Sequence, residues 1–170
     1  MNEKIKRMIV PLFAAILLIC YLFLPLLHTN LLSPTEVLSG SSVISHLNDL
    51  FQTATHLKQL GLLLIGIGFL ALLPTLGGIL ATLGATLQKH RLTLWGSRIA
   101  IVGLVSLFAV LVGITLAFSA ESGDNLNFFS VFGNVLAQSS FGIWIPLIGF
   151  SAVSAYAKVN CKRMKETKEN

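Results

Sequence analysis

Charge is scarce in this chain. Of its 170 residues, 11% are Asp, Glu, Lys or Arg and 54% are hydrophobic, and the mean hydropathy is +0.80. A soluble domain carries about 25% charged residues, so there are too few here to clothe a water-facing surface. Cysteine is scarcer still, with Cys20 in an apolar run and Cys161 in the basic tail. Two thiols on different membrane levels cannot pair, a disulfide framework needs more of them, and a lone cysteine without a general base nearby is not catalytic. No Asp, Glu, Lys or Arg occurs in residues 8–35, 59–88, 99–120 or 125–157. An ionised group inside a bilayer costs at least a few kcal/mol and is normally kept for function. Its absence counts against carboxylate-driven transport, exporters built on a buried Glu and membrane peptidases that need two Asp. No His lies in an apolar run long enough to span, so Ser106, Ser151 and Ser154 have no intramembrane base to activate them.

What the chain does have is length of apolar run. About 20 apolar residues cross a hydrocarbon core of about 30 Å, and the uncharged windows predict spans at 8–27, 60–87, 98–119 and 139–157. Pro74 and the Gly77–Gly78 pair place a kink or flexible point near the middle of the second. Met1 to Arg7 resembles the charged start of a signal peptide. The apolar run behind it is about twice the usual length, however, and no small-residue cleavage site follows. Ile19 before Cys20 is too bulky for a lipoprotein site, so an uncleaved span is expected.

The placement of cations predicts the orientation. Eleven of the twelve basic residues fall in residues 1–7, in the connection 88–98 or after residue 157, and the other two loops share only Lys58. Lys and Arg remain on the cytoplasmic side, so both termini are expected inside a plasma membrane of bacterial type. Residues 28–59 and 120–138 then form outer loops, and 158–170 a cytoplasmic tail. Trp95 and Tyr156 fall at the expected inner interface. The first outer loop carries Ser33-Pro34-Thr35-Glu36, a capping box with proline at the first helical position, which predicts a short helix ended by Gly40. From Val43, apolar residues recur at steps of three and four as far as Leu57, and Phe128, Phe129, Phe132, Val135 and Leu136 repeat the pattern in the second loop. The two halves share this plan loosely, which duplication or convergence explains equally well. The fold class expected is all-α: a polytopic membrane protein of four transmembrane helices, with amphipathic helices in the two outer loops, in one domain over residues 1–170.

Candidate sites are few. His46, Asp49 and His56 share one helical face and carry ligand types that zinc accepts, as do His28 and Glu36 in the same loop. Ten residues is about 15 Å along a helix, so one ion could not touch both His46 and His56, and a solvated polar face explains them as well. Small residues four apart, at Gly77, Ala81 and Ala85 and at Ala109, Gly113 and Ala117, predict close helix packing or a homodimer face. Lys158, Lys162, Arg163 and Lys165 predict contact with anionic lipid headgroups. Nucleic acid is a poor partner for so short a tail, which Glu166 and Glu169 dilute. The expected partners are the bilayer and a second protein or second copy of the chain; no cofactor is implied. The expected function is that of a non-enzymatic accessory or scaffold subunit. One alternative is an oligomeric channel or carrier subunit for a neutral or apolar solute, lined by Thr75, Thr82, Thr86, Ser106, Thr115, Ser151 and Ser154. Another is an enzyme acting on lipid at the outer interface, with His28, His46, Asp49 or His56 as acid and base.

Overall fold

The computed structural model describes residues 3–27, 38, 39, 41, 44, 61–121, 128–139 and 141–169. Nearly all of them are helical. The elements are α1 (Glu3–Phe23), the strands β1 (Pro25–Leu27) and β2 (Leu38–Ser39), then α2 (Gly61–Thr86), α3 (His90–Glu121), α4 (Phe128–Gln138) and α5 (Phe141–Glu169). Three helices contain stretches long and apolar enough to cross a membrane: Phe69–Thr86 in α2, His90–Val110 in α3 and Phe141–Met164 in α5. The apolar part of α1, Met8–Phe23, is shorter.

Helix α1 stops before the apolar run does. Leu24 N–H still donates to Cys20 O at 2.9 Å, and then the chain extends into β1. Pro25 is the cause, since it has no N–H to continue the helix and its ring drives the preceding residue out of the helical region. β1 pairs antiparallel with β2. Leu38 and Ser39 are therefore strand residues where the capping box predicted the end of a short helix; the box itself, residues 33–36, lies outside the described residues. Of the amphipathic helix expected from Val43 only Ile44 is described, and ahead of it Ser41, one of its two expected caps; both are helical.

Two helices outrun the spans that charge alone marked out. α3 begins at His90, eight residues before the predicted span, and α5 continues through the basic tail to Glu169. Lys, Arg, Met and Glu are good helix formers, so charge ends the oily stretch without ending the helix. The connection between α2 and α3 thereby shrinks to Leu87-Gln88-Lys89. Lys89 N–H donates to Gly84 O at 2.8 Å and Gln88 N–H to Ala85 O at 3.2 Å, the paired bonds of a Schellman cap. Gln88 takes φ 56° to close it.

The long helices form a ring in which α1 packs on α2, α2 on α3, α3 on α5 and α5 on α1. The buried positions step by three and four along every helix. Ala14, Leu17 and Tyr21 line α1; Ala71, Pro74, Gly78 and Ala81 line α2; Thr93, Ser97, Ala100, Leu104 and Leu107 line α3; Ile143, Pro146, Phe150, Val153 and Ala157 line α5. A repeat of 3.5 residues keeps a seam facing its neighbour only if the helices coil left-handedly at about 20°. Helix α4 lies on α3. Phe108 meets Phe132 edge-on with centroids 5.7 Å apart and also touches the Trp144 ring at 6.3 Å. Trp144 Nε1–H donates to Ser139 Oγ at 2.7 Å, whose hydroxyl donates to Leu136 O at 2.6 Å, tying the end of α4 to the start of α5.

Candidate functional site

Two features stand out: a seam of small residues and a basic end. Helices α2 and α3 approach so closely that backbone meets backbone. Pro74 lies opposite Gly103, Gly77 opposite Ala100, Ala81 opposite Gly96 and Gly84 opposite Thr93. A Cβ on Gly96 would collide with Ala81 N and come 2.7 Å from Leu80 C; one on Gly103 would come 2.6 Å from Pro74 Cδ. The Cβ position of Gly77 lies 2.7 Å from Gly96 O, and that of Gly96 lies 2.8 Å from Gly77 O. The hydrogen standing there in each glycine thus points at the other's carbonyl, the geometry of a reciprocal Cα–H···O contact. Inside a bilayer, where oily attraction between helices is missing, such close packing is what holds them.

Of the small residues picked out by spacing, Gly77 and Ala81 lie in this seam and Ala85 is half-buried beside it. Ala109 and Gly113 lie exposed on α3, and a Cβ on Gly113 would meet nothing within 4 Å. Ala117 is helical, with its side chain outside the description. The residues missed were Gly84, Gly96 and Gly103. Their signal was present, since Pro74-Gly77-Ala81-Gly84 and Thr93-Gly96-Ala100-Gly103 both step three, four, three.

The hydroxyls of the spans mostly turn back on their own helices. Thr82 Oγ1–H donates to Gly78 O at 2.9 Å, Thr86 Oγ1–H to Thr82 O at 2.8 Å and Ser151 Oγ–H to Leu147 O at 2.7 Å. Thr93 and Ser97 do likewise to Lys89 O and Leu94 O. Thr75 Oγ1 is buried with no such bond, and Ser106 and Ser154 are half-buried. The side chain of Thr115 is outside the description.

The alternating helices bring the start of α1, the α2–α3 turn and the tail end of α5 to one end of the bundle. Leu18 beside Gly78 and Leu17 beside Gly149 set the levels of α1 against α2 and α5, and the His90 and Tyr156 rings meet edge-on at 6.4 Å. The three basic segments of the sequence therefore share an end. Lys158, Lys162 and Arg163 are exposed on α5, and Lys165 follows on the same helix. A groove of about 480 Å³ opens there, lined by Lys89, His90, Arg91, Leu92, Trp95 and Met164 together with Gln88. A second, of about 540 Å³, runs along α5 past Lys158, Cys161 and Lys162. Cys20 and Cys161 are free thiols. The histidine and carboxylate candidates His28, Glu36, His46, Asp49 and His56 lie outside the described residues. Compared with known proteins, the chain matches no family, no curated protein and no solved structure.

Proposed function

We propose that this chain is a non-enzymatic multi-pass protein of a plasma membrane, acting as an accessory or scaffold subunit through helix packing and outer-loop contacts. On this reading α1 is the fourth span. Its helical apolar part covers about 24 Å at 1.5 Å per residue, and the extended, uncharged Leu24–Leu27 carries it the rest of the way. Eleven of twelve cations at the end shared by both termini put that end in the cytoplasm by the positive-inside rule.

The observation that supports a packing role is where the polar atoms of the spans go. Thr82, Thr86 and Ser151 satisfy their hydroxyls on carbonyls of their own helix, which favours a packing role over a polar path for a solute. The outward faces, by contrast, carry large apolar side chains such as Phe13, Phe69, Val102 and Ile148, which suit lipid or the helices of a partner.

The test is purification of the full chain in mild detergent, with mass read by light scattering after cross-linking in intact membranes. A reproducible stoichiometric complex, with another protein or with itself, is the expected result. Recovery only as a lone monomer, with no cross-linked species, would remove the support for this function.

A further inference from the structure

We propose that the basic end of α3 is a binding site for an anionic phospholipid, its phosphate held by Arg91 and Arg98 and its acyl chains running down the outer face of the helix. Steps of four and three put Arg91, Trp95, Arg98, Val102 and Val105 on one face, and all five are exposed. That face changes character along its length, with cations around an indole near the turn and bare valine beyond. The groove beside it repeats the combination, since Lys89, His90 and Arg91 surround the apolar floor of Leu92, Trp95 and Met164, with no carboxylate among the lining residues. A soluble anion would leave that floor uncovered, and a neutral oil would leave the cations without partners. An amphiphile with an anionic head satisfies both.

Arg98 provides the second, independent reason. It sits eight residues past His90, about 12 Å along the helix axis, inside the segment that is long and apolar enough to cross a membrane. The neighbouring helices offer it no carboxylate at that depth, because residues 59–88 and 125–157 contain none, and α3 itself has none before Glu121. A guanidinium held so deep must reach back to the headgroups or bind an anion there. A lipid phosphate, approached by planar N–H donors, fits it in both depth and geometry. Trp95, 64% exposed between the two arginines, is the kind of ring that sits at headgroup level. The tail cations on α5 do not line the groove, although Met164 beside them does, and the site stands whether or not the chain has a protein partner.

Trp95 reports on its own neighbourhood, because the chain has only one other tryptophan. The experiment uses the full chain carrying Trp144→Phe, reconstituted in phosphatidylcholine vesicles. These contain equal mole fractions of either chain-brominated phosphatidylglycerol or chain-brominated phosphatidylcholine, and the bromines quench a tryptophan they touch. The expected result is stronger quenching of Trp95 by the anionic lipid. In the background Arg91→Gln with Arg98→Gln, both exposed positions, relative affinity for that lipid falls about fivefold per cation removed. Equal quenching by the two lipids, or a preference unchanged in the double variant, would overturn the site. So would relief of quenching by inorganic phosphate, which would mark a free-anion site. The companion variant Trp95→Phe leaves Trp144 near the opposite end. The same preference there would mean a diffuse surface field and would equally sink the proposal.

Discussion

Along α2 and α3, glycine meets backbone; where α1 packs on α2 and α5, leucine meets glycine. In the first seam the atoms that a new Cβ on Gly96 or Gly77 would strike are amide nitrogens, carbonyl carbons and carbonyl oxygens of the facing helix. In the second, the atoms nearest a Cβ on Gly149 belong to the Leu17 side chain, and those nearest one on Gly78 to the side chains of Leu18 and Phe150. Side chains change rotamer, whereas a helix backbone moves only as a whole. The α2–α3 hairpin is thus the rigid half of the bundle, and α1 is held to it by parts that can adjust. Tyr21 adds one polar bond to that adjustable seam, its hydroxyl donating to Ala71 O at 2.8 Å.

The largest effect should come from the backbone seam. Gly96→Leu would drive a branched side chain into Ala81 and Leu80 and lower stability by about 3 kcal/mol or more, read as the midpoint of unfolding in mixed detergent micelles. Gly113→Leu adds the same atoms to the same helix where nothing stands within 4 Å, and should stay within about 0.5 kcal/mol of the parent. Equal losses in the two variants would mean that the cost does not come from the close approach of α2 and α3, since leucine is the better helix former and propensity alone predicts a gain at both positions.

The adjustable seam predicts a smaller loss and, unlike the first, a rescue. Leu17→Ala should cost about 2 to 3 kcal/mol by leaving a cavity beside Gly149 and Phe150. Gly149→Ala alone should also destabilise, because its methyl lies against Leu17. Together they should cost less than the sum of the two, since the added methyl fills part of the vacated space, a coupling that a double-mutant cycle reads directly. Strict additivity would show that Leu17 and Gly149 do not share one cavity. Tyr21→Phe ranks lower, at about 0.6 to 1 kcal/mol, because a hydrogen bond inside a membrane bundle is worth little more than one in water. A loss several times larger would put the hydroxyl in a network beyond Ala71.

How much of this was legible beforehand follows from what hydrophobicity can distinguish. The apolar runs of α2, α3 and α5 stand out because water and lipid sort residues strongly. Within a run, the inside and the outside are equally oily, so polarity no longer tells a buried face from an exposed one. Size does. The three-four steps of Pro74, Gly77, Ala81 and Gly84 mark the inner face, while a spacing of four alone also takes in Ala109 and Gly113 on the outer one. The stripe of Arg91, Trp95 and Arg98 was hidden for a related reason. With the span taken to start at residue 98, Arg91 and Trp95 belong to a loop that has no faces, and only a helix beginning at His90 aligns them. The end of α1 was hidden by the opposite bias, because Leu24 to Leu27 are apolar enough for a span but Pro25 forbids them the helix.

The smallest effect lies at the turn that joins the rigid pair, and its sign is reversed. Gln88 is exposed and adopts φ 56°, a left-handed conformation that a residue with a Cβ enters at a cost of about 1 kcal/mol and glycine enters freely. Gln88→Gly should therefore raise stability by about 0.5 kcal/mol once the greater freedom of glycine in the unfolded chain is deducted. Gln88→Ala keeps the Cβ and should change little. A gain in both variants would locate the cost in the glutamine side chain rather than the backbone angle. A gain in neither would mean that the cap bonds, Lys89 N–H to Gly84 O and Gln88 N–H to Ala85 O, are held by the seam below them. Gly84 both receives a cap bond and packs against Thr93, so in that case the close approach of α2 and α3 would dictate the turn, and not the turn the approach.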